Sequence, residues 1–149
     1  MGSLGQAKAP NTIRAASSHV RVIDGDTLDL AGTRVRLFGI DAPESKQTCR
    51  DKSNVVYLCG QTVTKALRDL VRDKDISCEQ RDIDRYKRVV AVCHAGSSNV
   101  NEWMVHQGHA VAYRKYSWDY VAAEDEAKRE KRGLWAGTFT SPEQFRKRR

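Results

Sequence analysis

Acidic side chains at the ends of apolar runs, in a chain that is otherwise basic, are the first sign of chemistry in this sequence. The segment Val22-Ile23-Asp24-Gly25-Asp26-Thr27 sets two carboxylates two residues apart. On a strand that spacing turns both to one face, where they could serve a hard cation that takes oxygen ligands. Alone, the pair reads equally well as turn chemistry, because Asp and Gly suit turns for backbone reasons. The segment Arg36-Leu37-Phe38-Gly39-Ile40-Asp41-Ala42-Pro43-Glu44 changes that balance. It opens with an arginine, whose planar fork matches phosphate oxygens, and closes with Asp41 and Glu44, which could supply a metal ligand and a general base. A third piece, Asp84-Arg85-Tyr86-Lys87-Arg88, crowds three cations around an aromatic ring. It reads as a phosphate clamp beside a surface for a sugar or base, or more plainly as a solvated hairpin tip. Tyr113, Arg114, Lys115 and Tyr116 repeat the mixture, whereas the four histidines at 19, 94, 106 and 109 show no metal-ligand spacing.

These groups need elements to hold them. Val20 and Val22, then Leu28 and Leu30, alternate on either side of the Asp24–Asp26 turn, and Gly32-Thr33 marks a second turn. Val35 and Leu37 continue a third strand towards Asp41-Ala42-Pro43, where proline halts the ladder. Val63, Ala66, Leu67, Leu70 and Val71 recur at three- and four-residue steps, which predicts an amphipathic helix over about 61–72. Strands at 75–81 and 88–95 flank Asp82 to Lys87. A second helix is expected from Asn99 or Asn101 to Gln107, before Gly108, and a third over 117–132, before Gly133. The order predicts an α+β fold that is mainly a β barrel: a five-stranded Greek-key barrel of the OB type with three helices, a surface that commonly binds oligonucleotides. A ferredoxin-like sandwich fits the order less well. Residues 1–17, small, polar and aperiodic, read as a disordered lead-in or an added remnant, 18–138 as the folded domain and 139–149 as a basic C-terminal tail.

A length of 149 residues favours one domain. Lys and Arg number 26 against 19 Asp and Glu, a net charge of +7, so the partner to expect is a polyanion such as nucleic acid. Charge does not separate a reader of nucleic acid from a cutter. No stretch approaches the roughly 18 apolar residues of a membrane helix. The cysteines at 49, 59, 78 and 93 form no Cys-x-x-Cys pair, so disulfides are a better reading than structural zinc. Of three possible connectivities, Cys49–Cys59 with Cys78–Cys93 is favoured, because 78 and 93 flank a hairpin and 49 and 59 bracket a short polar loop. The alternative is four reduced thiols in a cytosolic protein. Bridges imply a bacterial periplasm or the cell exterior, and Met1-Gly2-Ser3 then reads as a start that replaced a natural export signal.

Together these segments resemble the staphylococcal nuclease (thermonuclease) family from about Val20 to Trp135. The marks are VIDGDT at 22–27, RLFGIDAPE at 36–44, DRYKR at 84–88, HQGHAVAYRKY at 106–116 and RGLW at 132–135. The resemblance implies an OB barrel with three helices and calcium-dependent hydrolysis of phosphodiesters in DNA and RNA, single-stranded or in frayed duplex. It implies a monomer in which the 5′ oxygen leaves, giving 3′-phosphate products. Carried over by position, Asp26 and Asp41 correspond to the calcium carboxylates, Ala42 to a calcium-binding main-chain carbonyl, and Glu44 to the residue that activates water. Arg36 and Arg88 correspond to the arginines that grip the phosphate. Arg85, Tyr86 and Tyr113 match positions near the nucleotide, as does Tyr116 with one extra residue before it. Ala42 stands where the best-known member has threonine and Lys87 where it has glycine. The four cysteines resemble the disulfide-bearing exported bacterial branch. Two rival functions are an inactive OB module that only binds nucleic acid and a protein-interaction scaffold.

Overall fold

Residues 11–148 are described by the computed structural model. The alternating stretches form strands: β1 Thr12–Ala15, β2 Val20–Asp24, β3 Thr27–Leu30, β4 Thr33–Leu37, β5 Ile40–Asp41, β6 Cys49–Arg50, β7 Val56–Tyr57, β8 Ile76–Ile83, β9 Val89–Ala95, β10 Ser98–Asn99 and β11 Val111–Ala112. The helices are α1 Cys59–Val71, α2 Val100–His106, α3 Val121–Arg129 and α4 Pro142–Lys147, with short 3-10 turns at Ser17–His19 and Gly133–Ala136.

The main sheet runs β1-β8-β9-β4-β3-β2, with β10 paired to β9. All its pairings are antiparallel except β9 on β4, where Val89 faces Val35 and Ala91 faces Leu37. The ladder has two ends, but β1 and β2 are neighbours in the chain, separated by one 3-10 turn. A single bent N-terminal segment therefore supplies both edge strands and draws the two ends of the sheet towards each other. That is the Greek-key arrangement of an OB fold.

The meander, the two later strands and the first three helices lie where alternation and helical spacing placed them. α1 starts at Cys59, two residues before the expected boundary, and buries Val63, Leu67 and Val71 against the barrel. α3 is shorter than expected, since residues 113–120 turn rather than wind. Two differences are larger. Residues 12–19, mostly inside the expected lead-in, form β1 and its 3-10 turn: Ile13 faces Cys78 and Ala15 faces Ile76. Thr12–Ala15 carries a single large apolar residue, Ile13, so alternation does not mark it in sequence. Residues 1–10 of that lead-in lie outside the described residues. A fourth helix, where three were expected, falls in the presumed tail; Ser141 caps it by accepting from the Gln144 N–H, and Pro142 opens its first turn.

The core is one cluster centred on Leu28, Leu30, Val35, Leu37, Ile40, Leu67, Ile76 and Met104. Both disulfides are formed as favoured: Cys49–Cys59 ties the chain after the site to the start of α1, and Cys78–Cys93 joins directly opposed residues of β8 and β9. A buried polar side chain locks the barrel to α2. Asn101 accepts from the Cys93 N–H at 3.0 Å and donates to the carbonyls of Phe38 and Ala91 at 2.9 and 3.1 Å. It thereby fixes the chain between β4 and β5, from which the site is built.

Candidate active site

The turn between β2 and β3 carries Asp24 and Asp26, and the end of β4 carries Arg36 over it. Asp26 Oδ2 accepts from the Ala42 N–H at 2.9 Å, and its Oδ1 accepts from the Thr27 hydroxyl at 3.2 Å. Arg36 donates to the carbonyls of Leu37 and Ile40 at 3.0 and 2.9 Å, which aims its guanidinium between two acids. It lies 3.5 Å from Asp26 Oδ2 and 3.4 Å from Asp41 Oδ1. Burial works against the Asp26 charge, but Arg36 and the hydrogen bonds from its surroundings hold that carboxyl below the ordinary range. Among the described residues no cation pairs with Asp24; burial, and then the charge of Asp26, push it up to about 7.

Asp41 is 1% exposed. Burial raises its pKa, opposed by hydrogen bonds from a residue the sequence reading left out, Arg146 of α4. One Arg146 nitrogen lies 2.9 Å from Asp41 Oδ1 and 3.0 Å from Glu44 Oε2; the other lies 2.9 Å from Asp41 Oδ2 and 3.4 Å from the Tyr113 hydroxyl. Hydrogen bonding to Asp41 raises the arginine's own pKa in turn. Glu44 is placed from below. Gln47, fully buried, accepts from the Glu44 N–H at 3.1 Å and donates to the Thr140 carbonyl at 2.7 Å. Gly60, in the first turn of α1, lets that helix meet the Glu44 carbonyl so closely that any Cβ there would collide with it.

A cleft of about 640 Å³ opens above these groups, and Asp24, Asp26, Arg36, Glu44 and Arg146 line it. Arg85, Tyr86, Arg88, Tyr113, Lys115 and Tyr116 line it too, with Asp82 and Asp84 among them. Arg88 pairs with Asp84 at 2.7 Å, and the guanidinium carbons of Arg85 and Arg88 stand 5.0 and 5.4 Å from the centre of the Tyr86 ring. Lys87 takes the left-handed conformation, φ 69°, that the glycine it replaces would adopt freely. Arg88 nonetheless reaches the cleft. Tyr113 and Tyr116 meet edge to face, with ring centres 4.9 Å apart, and Tyr86 and Tyr116 are both more than 60% exposed. Asp41 and Ala42 lie beneath rather than in the cleft wall, and Asp41 borders a second cavity of about 220 Å³ with Tyr113 and Ser141. The residues singled out in sequence are thus gathered at one place.

The donor chemistry fits a hard cation, which takes carboxylate oxygens. Among the described residues no three His, Cys, Asp or Glu side chains already converge to cage a metal. Asp41 and Glu44 converge instead on a positive group, the Arg146 guanidinium. Arg146 was missed because it lies 105 residues from Asp41. Ser141-Pro142-Glu143-Gln144, a capping residue with Gln three positions on and Pro at the first helical position, is the local signal that could have located its helix.

Comparison with known proteins gives a family match. Residues 34–137 match the model of the family described as staphylococcal nuclease homologue. An uncharacterized endonuclease of Haemophilus influenzae is 36% identical over 149 residues, covering 95% of this chain and 76% of that protein. The micrococcal nuclease of Shigella flexneri is 34% identical over 134 residues, covering 78% of this chain and 71% of its own length. The succinoglycan biosynthesis protein ExoI of Rhizobium meliloti is 38% identical over 117 residues; the match covers 76% of this chain and 61% of that protein.

Proposed function

This chain belongs to the staphylococcal nuclease family, and from that membership we propose that it is a calcium-dependent nuclease hydrolysing phosphodiesters of DNA and RNA, in single strands or frayed duplex. The observation that carries the reading is the meeting of Asp26 and Asp41 at Arg36, with Glu44 joined to Asp41 through Arg146, beneath an open cleft that Arg85, Arg88 and Lys115 also line. Asp26 and Asp41, with the Ala42 carbonyl, would hold calcium, which when bound offsets negative charge on a phosphate oxygen. Arg36 of β4 and Arg88, just before the neighbouring β9, both line the cleft and supply forked donors to the remaining oxygens as charge grows there. Glu44 accepts the proton of a water that attacks phosphorus in line; the electron pair of the breaking bond leaves on the 5′ oxygen, and the product ends in a 3′-phosphate. Arg85, Tyr86, Tyr113 and Tyr116 offer cationic and aromatic surfaces to the nucleotide. The two disulfides support an oxidising compartment, periplasm or cell exterior, for a protein acting as a monomer.

Incubation of plasmid DNA and of single-stranded RNA with calcium, with magnesium and with chelator tests the proposal. Cleavage of both substrates in calcium, lost in chelator and leaving ends that a phosphatase must open before 3′ extension, is the expected result. Nucleic-acid binding without cleavage in any cation would instead make the chain a binding module.

A further inference from the structure

The cation on the acidic floor of this cleft is part of the chain itself. Arg146 takes both oxygens of Asp41 and one of Glu44, two of the groups proposed above to act with calcium. A guanidinium and a divalent cation cannot occupy the same carboxylate oxygens, and their like charges repel at such separations. The element that carries Arg146 is poorly suited to hold it there unaided. α4 has six residues, too few to be stable alone, and its first residue follows directly on a cap. The chain just before it is anchored, by Thr138 paired with Arg50, Phe139 packed on Trp135 and the Thr140 carbonyl on Gln47, but the helix itself is tied to the site by the Arg146 cluster, and Pro142 is its one buried residue. The Arg146 side chain is still 28% exposed, so a way out to solvent is open.

We propose that Arg146 is an internal counter-cation that latches α4 over the carboxylates, and that a divalent cation exchanges with it and frees the helix. Without divalent cation the arginine offsets the repulsion among buried acids, and with it the departing helix uncovers the floor of the cleft. Cation affinity is then reduced by the fraction of molecules held in the latched state. The inference rests on the assignment of Asp41 and Glu44 proposed above.

Calorimetric titration of the full chain with calcium, and hydrogen exchange of residues 138–148 with and without calcium, test it using Arg146→Gln and Asp41→Asn. Arg146→Gln is expected to bind calcium at least about tenfold more tightly than the unaltered chain. Exchange in 138–148 should rise with calcium in the unaltered chain, and in Arg146→Gln should be fast already and indifferent to calcium. Should Arg146→Gln weaken the fold, exchange in the unaltered chain decides alone. Unchanged affinity in a folded Arg146→Gln chain, or exchange that calcium leaves slow, overturns the latch while loss of binding in Asp41→Asn keeps the site. Full-strength calcium binding by Asp41→Asn overturns the site assignment and the latch with it.

Discussion

Replacing Asn101 with Asp changes almost no volume and removes the two donors that hold the chain between β4 and β5. Asp keeps an acceptor for the Cys93 N–H but turns an anion towards the Phe38 and Ala91 carbonyls, where the amide donated at 2.9 and 3.1 Å. The Ala91 carbonyl keeps a second partner, the Phe38 N–H at 2.8 Å, so one carbonyl rather than two loses its bond outright. An orphaned buried carbonyl costs about 1–3 kcal/mol and a lost bond about 1 kcal/mol. Burying a charge at a site with no exposed surface adds to that, so the expected loss is about 3–5 kcal/mol at pH 7. That is a large part of the roughly 5–15 kcal/mol that stabilises a typical domain. Urea denaturation of both chains measures it, and protonation of the new carboxyl should recover part of the loss in acid. A cost under about 1 kcal/mol at pH 7 would refute the assignment of Asn101 as the lock. Because Leu37 and Ile40, on either side of Phe38, hold Arg36, turnover should fall in the folded variant as well.

Glu44→Gln keeps shape but cannot take a proton, so turnover should fall about 10²–10⁴-fold with calcium affinity nearly kept; stopped assays alongside calorimetry separate the two. Lys87→Gly relieves a left-handed lysine, φ 69°, and the thermal midpoint should rise by the equivalent of about 0.5–1 kcal/mol; an unchanged or lower midpoint would count against strain at that position. Burial lowers the His109 pKa from 6.5, so the unfolded chain binds the proton first and stability is lost as pH falls below that value. Melts at pH 7.5 and pH 5 should show this acid loss shrinking in His109→Gln, and an equal loss in both chains would remove His109 as its source.

Most of the scaffold was legible because it is built from local repeats. Period-two alternation marks β2, β3 and β4, a helical stripe marks α1, and a hairpin flanked by Cys78 and Cys93 announces its own disulfide. Asp26, Arg36, Asp41 and Glu44 were legible as chemistry because acids at strand ends have no packing reason to be there. What escaped the sequence acts over long separations. Gln47 reaches across 93 residues to Thr140 and Asn101 across 63 to Phe38, and neither leaves a periodic trace. β1 is defined by its pairing with β8 rather than by pattern, and Arg146 sits in a run of basic residues whose composition reads as solvated tail.

The double variant Asp26→Asn with Asp41→Asn bears most directly on whether this cleft is a cation-dependent catalytic centre. It removes two negative charges from the floor where the phosphodiester would lie. Cleavage in calcium should vanish, since a hard cation depends on the charge of its carboxylates. Affinity for a short single-stranded oligonucleotide, read by fluorescence anisotropy in chelator at two salt concentrations, should hold or tighten and should weaken as salt rises. Calcium-dependent cleavage persisting in the double variant at the unaltered rate would contradict the account.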